Sequence, residues 1–320
     1  MTAATDVITN VDGTPARGSD ARGPVRRLPW RSSASSVIIY GPIIAVLVVL
    51  FLIPLGQSIY YSFTDFNGYS TTAKFVGLKN YASVFADPSL RAALFFTIVY
   101  TFATVIIVTI VAIPLAVILD QKFRGRNFVR SMLFFPAIPS VAILGLVWSF
   151  ILSPLASGML NAILHALFGL APVPWLSDPL LARGSVIFVA VWAQAGWHAV
   201  LYLAYLQSIP RDYYEAAMID GASTRQQFFY ITLPLLMPAM LISQVLLTTA
   251  GLKVYDLPFT LTKGGPGYVT FTITQGILQN GLTLGQVGQA SALSVLFMVF
   301  VIAVLVTQMV LSRRAEGRVL

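Results

Sequence analysis

Six stretches of the chain are each apolar over about the length that a helix needs to cross a lipid bilayer. A hydrocarbon core about 30 Å thick takes about 20 residues of α-helix, and a helix satisfies its own backbone hydrogen bonds where no water is present. The six stretches run near Ser36–Tyr60, Ala92–Leu119, Ser131–Leu152, Ser185–Leu206, Met237–Val254 and Ala290–Leu311. The sequence therefore predicts an all-α integral membrane protein with six transmembrane helices.

Composition excludes a soluble domain. Hydrophobic residues make up 57% of the chain and charged residues 10%, against about 45–50% and about 25% in soluble proteins. The net charge of +8 could suggest nucleic-acid binding, but the basic residues lie in short segments between the apolar stretches, which is the pattern of membrane topology. We therefore expect membrane lipid, and no nucleic acid, as a partner.

The placement of Lys and Arg predicts the orientation. With six spans, fourteen of the twenty basic residues fall on one side of the membrane, which the positive-inside rule assigns to the cytoplasm. They are Arg17, Arg22, Arg26, Arg27, Arg31, Lys122, Arg124, Arg126, Arg130, Arg211, Arg225, Arg313, Arg314 and Arg318. Both termini are then cytoplasmic in a multi-pass protein of a bacterial-type plasma or inner membrane. We predict a disordered tail over residues 1–33, a transmembrane domain over 34–312 and a carboxy-terminal tail over 313–320.

The cytoplasmic connection between spans four and five carries signals for two short helices. Asp212 favours the start of the first helix, because an acidic side chain there complements the helix dipole. Gly221 supplies the left-handed residue that ends this helix. Ser223 or Thr224 can then cap a second helix, which Pro234 limits before span five. A helical hairpin in this connection is what a docking partner would require, although it could also merely close the bundle.

The same connection matches a cytoplasmic signature of permease subunits of binding-protein-dependent ABC importers. That signature reads Glu-Ala-Ala, three residues, Gly, nine residues, Ile, one residue and Leu-Pro. Every spacing is met by Glu215, Ala216, Ala217, Gly221, Ile231, Leu233 and Pro234. The chain thus resembles that family. The resemblance implies that residues 208–236 form a coupling loop, which contacts a cytoplasmic ATPase through these residues and Asp220.

Further motifs resemble the carbohydrate-uptake group of the family, over roughly residues 36–311. They include SFTDFNGYSTTAKFVGLKNYASVFADP after span one, FFPAIPS in span three, WLSDP at 175–179 and LTKGGPG at 261–267. The group member that this chain resembles is the larger maltose-transporter permease subunit, without its extra amino-terminal spans. The resemblance implies import of sugars or oligosaccharides. It also implies a second homologous permease, two ATPase subunits that hold ATP and Mg, and an extracytoplasmic sugar-binding protein; this chain itself would bind no cofactor.

Candidate sugar contacts lie in spans three to five. Gln194 and Trp197 interrupt the apolar fourth span and are three residues apart, so they share one helical face. By resemblance, this region lines the translocation cavity together with the stretch from Leu247 to Gly251, and Ser140 could join them. The alternative is structural: Gln194 and Ser140 would make interhelical hydrogen bonds, and Trp197 would pack.

Three other functions are alternatives for a chain of this kind. An intramembrane enzyme has no support, because the chain lacks an HExxH motif, a Ser/His/Asp set and paired acids, and GGPG at 264–267 lacks the Lys-Ser/Thr of a phosphate loop. We predict no catalytic or metal-binding residue. An ion-driven transporter tends to bury acids in its spans, whereas here no Asp or Glu lies clearly inside a predicted span. His198 is expected to be a buried hydrogen-bonding residue and not a proton relay. A glycerol-phosphate or polyol importer remains an alternative; it needs a basic cavity residue, for which Lys253 is the only candidate.

Overall fold

Helices carry the regular structure of the computed structural model, which describes residues 32–316. Within these residues there is no strand, only an isolated bridge between Thr64 and Phe75. In this part of the chain, four helices are long and apolar enough to cross a membrane, and two bent helix pairs raise the number to six if each pair is one span. The all-α class is thus confirmed, and the predicted count of six holds only with the bent pairs included.

In chain order the helices of the described residues are α1 (Ser32–Leu47), α2 (Ile53–Ser62), α3 (Lys79–Ala86), α4 (Pro88–Asp120), α5 (Arg126–Phe134), α6 (Val141–Ile151), α7 (Met159–Phe168), α8 (Pro179–Leu206), α9 (Asp212–Ile219), α10 (Thr224–Gln227), α11 (Leu233–Leu235), α12 (Met237–Leu252), α13 (Asp256–Thr262), α14 (Ile273–Leu278) and α15 (Val287–Glu316). Three π-helical turns occur at Val48–Leu52, Phe228–Thr232 and Gln279–Thr283, and a 3₁₀ turn at Phe135–Ala137.

Residue contacts divide the chain into two units at Pro54. In the first unit, α1 is continued by the π-helical turn Val48–Leu52. Residues 1–31 of the predicted tail lie outside the described residues, and Ser32 already begins α1. At the other terminus, α15 runs through Glu316 and includes residues 313–316 of the predicted carboxy-terminal tail.

The core of the second unit is formed by α4, α8 and α12. The two longer of these helices, α4 and α8, each begin at an Asp-Pro pair. The Asp87 carboxylate accepts a hydrogen bond from the Ser89 amide at 2.8 Å, and that of Asp178 accepts from the amides of Leu180 and Leu181 at 2.9 Å. Small buried residues let the helices approach closely; they are Ala93, Ala112, Ala116, Ala182, Ala190, Gly196, Ala199, Ala239 and Gly251.

The third predicted span is not a single helix. The segment Arg126–Ala137 meets α6 at an angle of 94°. Pro139 explains the break, because it lacks an amide donor and disfavours helical geometry at the preceding residue. At 11 residues, α6 is about 16 Å long and too short to cross the bilayer core alone. The expectation of one helix from Ser131 to Leu152 was therefore wrong. Instead, α6 packs on α13 at Gly145, where a Cβ atom would lie 1.9 Å from Thr260 Oγ1.

Candidate functional site

The predicted coupling loop folds as a helical hairpin with a sharply defined corner. The first helix, α9, ends at Ile219, and Gly221 terminates it two residues later with a φ of 78°, in the left-handed region. The Ala222 amide donates to the Ala217 carbonyl at 2.9 Å, and the Gly221 amide donates to the Met218 carbonyl at 3.1 Å. These two bonds form a Schellman motif, which satisfies carbonyls at the helix end. The predicted helix end at Gly221 is confirmed.

The second helix begins two residues later with a capping box. The Ser223 hydroxyl accepts from the Gln226 amide, and the Ser223 amide donates to Gln226 Oε1 at 2.8 Å. Of the two predicted caps, Ser223 is the one used, and Thr224 is the first residue of α10. Only Ala222 separates the two capping motifs, so little backbone freedom remains at the corner.

A hydrogen bond also joins the two arms of the hairpin near its base. The hydroxyls of Tyr214 on α9 and Thr232 on the π-helical turn lie 3.0 Å apart. Thr232 is buried, whereas α9 contains no buried residue. The hairpin is thus tied at its corner and at its base, and it can move as one body.

The signature residues and Asp220 are divided equally between exposed and half-buried positions of the hairpin. Glu215, Ala216, Asp220 and Gly221 are exposed. The half-buried signature residues are Ala217, Ile231, Leu233 and Pro234. Large apolar side chains are exposed beside them, with Ile219 at 86% and Tyr230 at 80%; the others are Tyr213, Met218 and Phe229. Exposed apolar surface next to charged groups is typical of a protein-interaction site.

A groove of about 710 Å³ lies between the hairpin and the ends of α4 and α8. Its lining brings Glu215 together with Lys122, Arg126 and Arg211. The carboxy-terminal ends of α4 and α8 therefore lie on the same face of the protein as the loop. Three of the basic residues that the sequence assigned to one side of the membrane meet at this face.

The two candidate sugar contacts of α8 have different environments. Trp197 is 38% exposed, and its ring meets the His198 ring edge-on at 4.7 Å. Gln194 is half-buried, and its Nε2 donates to the Ala190 carbonyl of the same helix at 3.2 Å. The Gln194 amide therefore makes no interhelical bond in the described residues, unlike the structural alternative. Its Oε1 remains available as an acceptor beside an exposed indole.

The other candidates divide into one exposed and two packed residues. Ser140 is exposed at the start of α6, where its side chain makes no capping bond. Leu247 is 2% exposed and belongs to the core between the long helices. Gly251 packs against α4, since a Cβ there would lie 2.9 Å from Thr101 Oγ1. Leu247 and Gly251 thus hold helices together here and do not line an open surface.

A buried polar contact joins the helices on either side of the coupling loop. His198 on α8 and Ser243 on α12 are buried, and His198 Nδ1 lies 2.8 Å from Ser243 Oγ. One turn further along α8 from His198, the hydroxyl of Tyr202 is also buried, and among the described residues no partner lies within hydrogen-bonding geometry of it. The sequence flagged His198 as a buried hydrogen-bonding residue, and this is confirmed. It gave no signal for Ser243 as the partner.

The close approach of α5 to α8 was also missed. A Cβ atom on Gly196 would lie 1.7 Å from the Leu133 carbonyl oxygen. The backbone of α5 therefore lies directly against α8 at Gly196, a position between Gln194 and Trp197 in the sequence. A glycine beside two polar or aromatic residues in a span was the available signal, because small residues mark close helix contacts in membranes.

Comparison with known proteins decides the family. The family described as "binding-protein-dependent transport system inner membrane component" matches residues 89–317 of the chain. The chain belongs to this family. The predicted resemblance is thereby confirmed, as is the location in a membrane. The members of this family are components of transport systems and are not enzymes.

The alignments with individual relatives cover most of this chain. The trehalose/maltose transport system permease protein MalF of Thermococcus litoralis is 33% identical over 90% of this chain and 96% of its own length. The sn-glycerol-3-phosphate transport system permease protein UgpA of Brucella abortus is 34% identical over 82% of this chain and 89% of its own. A crystallised bacterial ABC transporter involved in alginate import contains a chain with the same fold, at a TM-score of 0.77 and 22% identity, covering 89% of this permease and 98% of that chain.

Proposed function

We propose that this permease is a membrane subunit of an ATP-driven importer for sugars or oligosaccharides and forms half of its translocation pathway. The observation that carries the proposal is the hairpin from α9 to α11. It presents Glu215, Ala216 and Gly221 of the family signature on exposed surface, and it is fixed at both its corner and its base. An element of this kind can transmit the movement of a bound partner to the helices that it joins.

The hairpin would couple the permease to an ATPase by contacts that differ between two states of the partner, as coupling between sites requires. Glu215 offers a charge to a basic cleft, and Ala216 and Ala217 allow close helix contact. The cytoplasm would then contain the loop and both termini. Two ATPase subunits would supply ATP and Mg, and a second permease and an extracytoplasmic sugar-binding protein would complete the assembly.

The cargo proposal rests on uncharged side chains. Trp197 offers an aromatic face for a sugar ring, and Gln194 and Ser140 offer hydrogen-bonding groups without charge. A phosphate cargo, such as that named for the Brucella relative, would favour a cationic group in the pathway. The candidate for that role, Lys253, lies exposed just after the end of α12. A neutral carbohydrate therefore fits better than glycerol phosphate, which remains the second candidate.

Uptake by the reconstituted assembly tests the proposal. Proteoliposomes with ATP inside should accumulate a labelled oligosaccharide when its binding protein is outside, and a protonophore should leave the rate unchanged. Uptake that stops when the proton gradient is collapsed and that does not depend on ATP would contradict an ATP-driven importer. Labelled glycerol 3-phosphate offered to the same proteoliposomes tests the second candidate.

The Glu215→Arg variant tests the role of the hairpin. We expect it to insert normally but to lose most oligosaccharide uptake, because the charge reversal would repel a basic cleft in the ATPase. Asp212→Arg is the matched control: it reverses a charge on the same exposed helix, outside the signature, and should keep most of the uptake. Full uptake by Glu215→Arg with normal ATPase association would refute the assigned role.

A further inference from the structure

A second groove lies at the opposite end of the helices from the coupling loop. This outer groove has a volume of about 820 Å³ and is formed by α4, α6, α7 and the first turns of α8, together with Trp175. Its size falls within the range of about 300–1,000 Å³ that is usual for small-molecule sites. Apart from Arg183 and Ser185, its lining consists of apolar residues, tryptophans and a glycine. Neither the coupling loop nor the candidate sugar contacts belong to it.

The groove lies at the level of a membrane interface. The distance along α8 from Arg183 to its end at Leu206 is about 35 Å, at about 1.5 Å per residue. Because Leu206 borders the coupling-loop groove, Arg183 lies near the other surface of the bilayer. Trp148 and Trp175 line the outer groove, as expected where the chain passes the lipid headgroups.

Arg183 is the only charged residue that lines the outer groove. Its Nε donates to the Val269 carbonyl at 3.0 Å, and its guanidinium lies 5.4 Å from the centre of the Phe95 ring. The side chain is thus held in place at the groove wall. No carboxylate lines the groove, and among the described residues Nε makes the guanidinium's one hydrogen bond. The remaining N–H donors are therefore available to an anionic ligand.

Gly184 opens the groove beside this arginine. It is exposed, and a Cβ atom on it would have no neighbour within 4 Å. The gap is not needed for helix packing, in contrast to that at Gly196. It leaves the backbone of α8 accessible to an apolar chain that lies along the groove.

We propose that the outer groove binds an anionic phospholipid, with its phosphate on Arg183 and an acyl chain over Gly184. A guanidinium binds phosphate through paired hydrogen bonds, which are strengthened by charge and by the apolar surroundings. A zwitterionic lipid is the poorer fit, because no acidic side chain lines the groove to receive its ammonium group. A helix of a partner protein would have to bring its own acid to Arg183.

Native mass spectrometry of the full-length chain in its detergent-solubilised assembly tests the proposal. The probes are dioleoyl phosphatidylglycerol and dioleoyl phosphatidylcholine at equal concentration. The wild type should retain phosphatidylglycerol with a preference of about tenfold, the effect of one charge-assisted contact. Arg183→Gln should lose the preference, and Lys74→Gln, which changes an exposed cation outside the groove, should keep it. Equal retention of both lipids by the wild type, or an unchanged preference in Arg183→Gln, would overturn the proposal.

Two changes at Gly184 separate a lipid from a protein occupant. Gly184→Leu should fill the groove and abolish lipid retention, whereas Gly56→Leu, at another exposed helix glycine without neighbours, should not. Retained phosphatidylglycerol in Gly184→Leu would contradict the acyl-chain position.

Because the chain has no cysteine, Gly184→Cys introduces a single thiol. Efficient crosslinking of that thiol to another subunit would show that a protein helix occupies the groove and would refute the lipid proposal. None of these outcomes depends on the cargo, so they leave the proposed function untouched.

Discussion

Gly196 allows a sharp test of the helix packing around the candidate pathway. On α8 it faces the backbone of α5, where an added Cβ atom would lie 1.7 Å from the Leu133 carbonyl oxygen and 2.5 Å from its carbonyl carbon. Real Cβ atoms essentially never approach another heavy atom within 3.0 Å. In Gly196→Ala, α5 would therefore have to move away by more than an ångström. The obstacle is backbone, so no side-chain rotation can relieve it.

The expected loss of stability follows from two opposing terms. Replacing a helical glycine by alanine stabilises by about 0.5–1 kcal/mol, and overpacking a close contact costs about 1–3 kcal/mol. Gly56→Ala isolates the first term, because Gly56 is also helical and a Cβ there has no neighbour within 4 Å. The difference between the two variants is then the clash alone, about 1–3 kcal/mol. At about 2 °C per kcal/mol, Gly196→Ala should melt about 2–6 °C below Gly56→Ala.

The measurement is thermal unfolding of the two full-length variants in the same detergent, followed by size-exclusion chromatography of the heated samples. Both variants have the same composition, so detergent effects should cancel in the comparison. Gly56→Ala should melt about 1–2 °C above the wild type, and Gly196→Ala about 2–6 °C below Gly56→Ala. Equal melting temperatures of the two variants would refute the backbone contact between α5 and α8.

Two further predictions concern buried hydrogen bonds. Ser243→Ala leaves buried His198 without its partner, which should destabilise the protein by about 1–3 kcal/mol; Ser208→Ala, which removes an exposed local bond, should have little effect on the melting temperature, and equal melting of the two variants would contradict the contact. Asn161 donates to the Val173 carbonyl and accepts from the Val173 amide, both at 3.0 Å. Asn161→Ala should therefore speed hydrogen exchange at Val173 and its neighbours, and unchanged exchange would show that these bonds do not hold the segment.

The coupling loop was predictable because its signals are local. A left-handed glycine and a capping serine act within a few residues of chain, so Gly221 and Ser223 predict the same corner in any fold. The interaction between arms is different. The bond between Tyr214 and Thr232 depends on how the hairpin closes, which no spacing rule states. Local capping motifs thus predict where the helices end, whereas tertiary contacts determine how stiff the hairpin is.

The break in the third span shows what hydropathy does not report. The stretch from Ser131 to Leu152 is apolar enough for one membrane helix, and a half-length helix packed on α13 needs the same composition. The apolar content of a segment indicates that its surroundings are apolar, but it does not indicate whether the segment forms one straight helix or a broken one. Pro136 and Pro139 were visible signals, but proline also occurs inside intact membrane helices, as Pro114 does within α4.

Pathway residues are hard to assign from the sequence for a similar reason. Gln194 and Trp197 were selected because polar and aromatic residues stand out in a span, and Trp197 does lie on an exposed face. Leu247 and Gly251 came from resemblance alone, and here both are packed between helices. Which face of an apolar helix is open depends on its neighbours, so only the tertiary structure separates these two cases.

The position of the His198–Ser243 contact bears on how movement would pass from the loop to the pathway. The hairpin joins α8 to α12, and this buried bond ties the same two helices together within the bundle. A displacement of the hairpin cannot then separate them near the loop without breaking that bond. The chain bends by 63° between the segment Thr224–Leu235 and α12, so we expect the angular change to be absorbed at this bend. Under that constraint α8 moves as one piece, and Trp197, adjacent to His198, must move with it.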